Sequence, residues 1–180
     1  MNTGQSLFSI AALLLLSLTV LRVNNSILYS DVVMYDSKYA LMANSIATSI
    51  IEKASRVRAD GQSIHFDENT ISNQLSDSTL LTPYAQLRTE SGEPTEDLFD
   101  DVDDYNGYTQ EDLYYGSVTF YTRCDVCYIM PNNPDVKLNN YSWHKKLNVS
   151  VTWRQNNQSV GFVTDTVKQF TIYSYWWYAR

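Results

Sequence analysis

Apolar residues run from Leu7 to Leu21, interrupted only by Ser9, Ser17 and Thr19. No Pro or Gly follows Gly4 until Gly61, so one helix can continue from the apolar run into the polar stretch beyond it. As a helix, residues 7–21 would span about 22 Å, short of a hydrocarbon core of about 30 Å. Extension to Tyr29 supplies the length and brings Arg22, Asn24 and Asn25 into the span or to its edge. From Tyr35 the apolar positions recur as Tyr35, Tyr39, Met42, Ile46 and Ile50. Their spacings of four and three place them on one helix face, which is expected to pack on a sheet. Lys53, Arg56 and Arg58 suit the negative C-terminal end of the helix dipole, and Gly61 follows as a stop. The expected weak point is Asn24, Asn25, Ser26, Ser30 and Asp31, whose short polar side chains compete for backbone hydrogen bonds.

Period-two alternation dominates the last third. Val118, Phe120, Cys124 and Val126 face one way, against Thr119, Tyr121, Arg123 and Asp125. Leu147, Val149, Val151 and Trp153 alternate with Asn148, Ser150, Thr152 and Arg154. Gln155–Gln158 reads as a hairpin turn, and Gly161–Tyr175 is expected to pair back. The result is an antiparallel sheet with one apolar face, for which the amphipathic helix is a cover. The predicted class is α+β: a long N-terminal helix packed on a C-terminal antiparallel sheet. Residues 61–113 show little periodicity; Ile64–Ile71 and Leu80–Leu87 are short apolar pieces and Ser91–Pro94 is a turn signal.

Composition narrows the class. The 14 Tyr, 6 Phe and 4 Trp against 6 Gly and 4 Pro exclude a disordered chain. The net charge of −7 is unevenly placed: residues 1–59 carry +2, residues 60–113 carry −13 and residues 114–180 carry +4. An acidic middle argues against nucleic acid as a partner, since phosphate recognition needs the opposite sign. Such charge blocks either remain solvated or pair with faces of neighbouring copies.

Candidate chemistry centres on D-L-F-D-D-V-D-D-Y-N-G-Y, residues 97–108. Asp101, Asp103, Asp104 and Asn106 offer hard oxygens in a turn, a ligand set suited to Ca²⁺. The EF-hand register fails, because Tyr105 holds its fifth position and Gly107 comes one place late. The alternative is an acidic turn whose carboxylates cap backbone amides. Cys124 and Cys127 are a candidate disulfide only if the chain turns or bulges between them, since residues three apart in a straight strand point to opposite faces. Strand flanks argue against a redox role for this C-x-x-C. Zinc would need His65 and His144 to join the cysteines, with no ligand-like spacing. No catalytic triad, phosphate loop or dinucleotide fingerprint occurs, so the sequence points away from an enzyme. The tail Y-S-Y-W-W-Y-A-R, residues 173–180, is read as sheet packing or as a contact with a neighbouring subunit.

The opening segment has three readings. A cleaved secretory signal wants a basic leader and a small-residue cleavage site, and neither is present. An uncleaved anchor would be oriented by Arg22 alone. In the third reading, G-Q-S-L-F-S followed by a leucine-rich run resembles the class III signal of type IV pilins and of the pseudopilins of type II secretion. The run D-D-V-D-D-Y-N-G, residues 100–107, is similar to an Asp-rich run of pilin-like minor proteins. The resemblance implies cleavage after Gly4 by a prepilin peptidase and methylation of Gln5. It also implies an assembly helix carrying Leu7, Phe8, Ser9, Leu13, Leu14, Leu16 and Leu21. That helix would sit in the bacterial inner membrane and then enter a periplasmic or cell-surface filament of the same or other pilin-like subunits. Two departures stand out: the fifth mature position is Ser9 where the family has Glu, and the leader lacks Lys or Arg. The implied organisation is a leader (1–4), a transmembrane or filament-core helix (5–29), an amphipathic half (30–60) and a globular domain (61–180). Within that domain the acidic loop is expected at 90–112 and the sheet at 116–178. The competing function is a membrane-anchored binding module using the acidic loop and the aromatic sheet.

Overall fold

The computed structural model describes residues 3–55, 64–70, 74–114, 118–155 and 165–178. Helix α1 runs from Thr3 to Lys53. It passes unbroken through Asn24–Asp31, where the sequence led us to expect a break. No Pro or Gly interrupts its backbone ladder there. The helix also ends earlier than expected. The N–H groups of Ala54 and Ser55 close a final turn on the carbonyls of Ile50 and Glu52. Arg56, Arg58 and Gly61 lie outside the described residues.

The chain divides into two compact units, residues 1–39 and 40–180. In the first, the apolar stretch of α1 is exposed from end to end, and Tyr35 stacks on Tyr39 with ring centroids 6.3 Å apart. This helix is long and apolar enough to cross a membrane.

The second unit is built on a five-stranded antiparallel sheet. Its strands are β1 (Thr109–Tyr114), β2 (Val118–Met130), β3 (Asn133–Leu138), β4 (His144–Gln155) and β5 (Asp165–Ser174). The order is β1-β2-β4-β5, with β3 also paired to β2. Both alternating runs hold as strands. Phe120 opposes Trp153, Cys124 opposes Val149 and Val126 opposes Leu147 in one unbroken register. The third run pairs back on β4 over Asp165–Ser174; Asn156, Asn157 and Gln158 of the expected hairpin turn lie outside the described residues. The acidic loop ends sooner than expected, because residues 109–114 form β1.

Within this unit, residues 40–53 of α1 cover the apolar sheet face. Ala43, Ala47 and Ala54 are fully buried and Ile50 nearly so. The contact seam therefore runs through small residues, with Met42 and Ile46 half-buried beside it. Ile50 of the expected stripe is buried, whereas at Met42 and Ile46 the line of contact falls one position later, on Ala43 and Ala47. A helix lying close to a sheet needs alanine along the line of contact, and bulkier side chains fit only at its flanks. Polar groups fix the helix along β5: Gln169 Nε2 donates to Asn44 Oδ1 at 2.5 Å, and Ser55 Oγ and Tyr173 Oη lie 3.0 Å apart. The α+β class expected from the sequence is the one observed. Among the described residues between α1 and β1, the chain is neither strand nor long helix. It is a chain of short 3-10 turns that place Ile64, Phe66, Leu81, Leu87, Phe99 and Tyr105 in the core.

Candidate functional site: an apolar helix and a buried charge centre

The apolar helix is chemically simple. Leu7, Phe8, Leu13, Leu14, Leu16 and Leu21 are all exposed, Phe8 by 81%. Each polar interruption that could resist a lipid environment is answered inside the helix. Ser9 Oγ donates to the carbonyl of Gln5 at 3.0 Å, Ser17 to Leu13 at 2.9 Å and Thr19 to Leu15 at 2.8 Å. A hydroxyl bonded one turn back leaves no unsatisfied donor for hydrocarbon to meet. Gly4 and Gln5 sit in the first turns of this helix.

The Asp-rich run occupies a gap in the sheet. On one side β2 pairs continuously with β4. On the other, β1 pairs with β2 up to Arg123 and β3 pairs with it only from Tyr128 onward, leaving residues 124–127 without a strand neighbour on that side. The loop fills that gap. Gly107 N–H donates to the Cys124 carbonyl at 3.2 Å, and Cys124 N–H donates to the Tyr108 carbonyl at 2.9 Å. Asn106 Oδ1 accepts from Val126 N–H at 2.9 Å while its Nδ2 donates to the Leu87 carbonyl at 2.6 Å. Gly107 has φ of +84°, a conformation that side chains strain to adopt. Asn-Gly is thus a plug for an edge that would otherwise present bare backbone groups.

Behind the plug lies a buried charge centre. Lys145 is on the apolar face of β4, opposite Tyr128, and is wholly buried. Its Nζ donates to the Phe66 carbonyl at 2.7 Å, to Asp67 Oδ2 at 2.8 Å and to Asp103 Oδ1. The rings of Phe66 and Tyr128 flank the ammonium at 4.7 and 5.4 Å. Asp67 is further held by Thr82 N–H and Oγ1 and by the Tyr128 hydroxyl. Burial works against the Lys145 ammonium, but the charges of Asp103, Asp67 and Asp101 outweigh it and raise its pKa. For Asp67, burial is likewise outweighed, here by Lys145 and the surrounding donors, and the carboxyl sits below its usual range. Asp103 goes the other way. Burial and the Asp67 charge raise it despite Lys145. Asp101 is raised well above its usual range, by burial first and the adjacent Asp103 second. One ammonium faces three buried carboxylates, and Asp101 has no ion-pair partner of its own among the described residues.

The acid limb of stability follows from Asp67. Its folded pKa is below the unfolded one, so its contribution is complete above the unfolded value, about 4, and is lost as pH falls through the folded one. Urea unfolding of the full chain in detergent is expected to show a falling midpoint below about pH 4. A midpoint unchanged from pH 5 to pH 2 would contradict an ionised centre.

The four residues expected to share a cation are divided by the structure. Asp103 is taken by Lys145 and Asn106 by two backbone groups. Asp101 Oδ1 accepts from the N–H groups of Asp103 and Asp104, and Asp104 Oδ2 from those of Asp100 and Asp101, as capping carboxylates do. Asp101 and Asp104 fall into separate carboxylate groups, one with Glu68 and Asp100, the other with Glu90 and Glu93.

Sequence reasoning missed Lys145 and Asp67. The signal for Lys145 was available: alternation carried back two residues from Leu147 puts a lysine on the apolar face. Asp67 had no such signal, because nothing periodic surrounds it.

Cys124 and Cys127 are both free, both buried and on opposite faces of β2. The unbroken pairing of Asp125 and Val126 with β4 provides no bulge to bring them together. Of the two outcomes left open by the sequence, the thiols stay apart. In the aromatic tail, Tyr173 and Tyr175 are core residues, and Tyr175 Oη accepts from Leu75 N–H at 2.7 Å. Trp176 is 61% exposed and packs against Trp143. Ala179 and Arg180 lie outside the described residues.

Compared with known proteins, the chain matches no family model, no curated protein and no solved structure.

Proposed function

We propose that this chain is a pilin-like or pseudopilin-like structural subunit, held in the bacterial inner membrane by its N-terminal helix and then assembled into an envelope or cell-surface filament. The observation that carries the reading is the division of labour within α1. Its apolar stretch is exposed along its whole length, with its hydroxyls satisfied internally, while residues 40–53 of the same helix are fixed to the sheet by an alanine seam. The first part suits lipid or the helices of neighbouring subunits; the second ties it covalently to a folded domain. Exchange of lipid for helices brings no gain in hydrophobicity, so assembly would rest on side-chain packing. Ser9 bonds within its own helix and carries no charge for a neighbour's N-terminal amine. The partners in this reading are copies of the chain or other pilin-like subunits, with a prepilin peptidase acting first.

Mass spectrometry of the chain isolated from its native membrane tests the reading. The expected mature N-terminus is methylated Gln5. An intact Met1, or cleavage near Leu21, would overturn it. The exposed Phe170 and Trp176 favour the second reading, an anchored binding module, which an intact Met1 would support.

A further inference from the structure

We propose that Glu90, Glu93 and Asp104 form a Ca²⁺ site that clasps the Ser91–Pro94 turn to the Asp-rich loop. One carboxylate oxygen from each residue lies within 4.8 Å of the others. Oxygens bound at about 2.4 Å on opposite sides of a Ca²⁺ ion are themselves that far apart. Three oxygens this close fall within the span that one Ca²⁺ ion can bridge.

Acidic residues often gather on surfaces, so the decisive point is what the oxygens lack. Asp104 is 99% buried, at 1% relative exposure. Its Oδ2 is held by the N–H groups of Asp100 and Asp101, which fixes the carboxylate. Its Oδ1 is inaccessible to solvent and has no hydrogen-bond partner, and the same holds for Glu90 Oε2 and Glu93 Oε2. Buried polar atoms are almost always satisfied, and unsatisfied ones mark a missing partner. When all three carboxylates are ionised, what their oxygens lack is a cation. No ion pair reaches these three residues among the described residues: Lys145 is committed to Asp67 and Asp103, and Lys53 to Glu96 at 2.6 Å.

The chemistry selects among ions. Three carboxylates and no sulfur or imidazole favour a hard cation. Ca²⁺ tolerates irregular sets of six to eight oxygens and completes them with water or carbonyls, whereas Mg²⁺ demands a near-octahedral shell. Gly92, with φ of +126°, lies in the turn between Glu90 and Glu93. An ion here would brace the loop that closes the exposed edge of β2.

The test uses the full chain in detergent, stripped with EDTA and desalted at pH 8. Thermal unfolding is followed in EDTA, in about 5 mM Ca²⁺ and in about 5 mM Mg²⁺, alongside equilibrium dialysis with radioactive Ca²⁺. We expect Ca²⁺ to raise the midpoint by about 5 °C, one ion to bind per chain, and Mg²⁺ to do less. The variant Glu90→Gln/Glu93→Gln keeps the shape, loses the shift and melts in EDTA no lower than the native chain. Glu93→Gln alone, should the double variant fail to fold, is expected to weaken binding at least tenfold. Equal midpoints in Ca²⁺ and EDTA with no bound ion would overturn the site. A full shift in the double variant would overturn the ligand assignment, and an equal shift with Mg²⁺ the ion preference.

Discussion

Replacing Lys145 by Met is expected to lower the stability of the globular unit by about 3–5 kcal/mol, the cost of leaving buried carboxylates without their cation. Methionine nearly matches the lysine stem, so packing is conserved and the loss reports the charge. Three acceptors lose a donor at once: the Phe66 carbonyl, Asp67 and Asp103. Asp67 retains Thr82 and Tyr128 as donors. Asp103 Oδ2 has no hydrogen-bond partner even in the native chain, so Asp103 is the more exposed to the loss. Both carboxyls then gain a proton more readily in the folded state. The deficit is therefore expected to be larger at pH 8 than at pH 5. Urea unfolding monitored by tryptophan fluorescence at both pH values checks this. A loss below about 1 kcal/mol at pH 8 would show that the centre is hydrated or replaceable.

Truncating Phe66 to Ala is expected to cost a similar amount, about 3–5 kcal/mol, for a different reason. The ring is fully buried, meets Tyr175 edge-on with centroids 5.9 Å apart, and lies beneath the Lys145 ammonium. Its loss removes apolar contacts and opens space beside a charged group. Water entering there would solvate Lys145 and weaken its hold on Asp67 and Asp103. The two changes act on one cluster, so Phe66→Ala/Lys145→Met should fall short of additivity by about 0.5–3 kcal/mol. Additive losses would separate the ring from the charge centre.

What could be read from the chain depended on repetition. The helix was legible because absence of Pro and Gly and the 3- and 4-residue spacing persist over many turns. β2 and β4 were legible because one face is apolar at every second position. β1 was not, since Thr109–Tyr114 is an edge strand with no residue fully buried and no apolar face to announce it. The 3-10 turns between residues 68 and 105 were invisible for the same reason, each being three residues long. On α1 the seam was legible at Ile50 but not at Ala43 and Ala47, because alanine is a weaker apolar signal than the Met42 and Ile46 beside it. The acidic loop could be located but its wiring could not. Lys145 and Asp67 are 78 residues apart in sequence, and only the folded sheet brings them within 2.8 Å.

The placing of Cys124 and Cys127 on opposite faces of one strand has a consequence for when this domain can fold. Nothing in its core waits for an oxidant. Burial pushes the Cys124 thiol up to about 12 and raises Cys127 as well, so neither presents the thiolate that exchange chemistry requires. The sheet therefore needs no disulfide to hold its register, and a change between reducing and oxidising conditions leaves its pairing as it is.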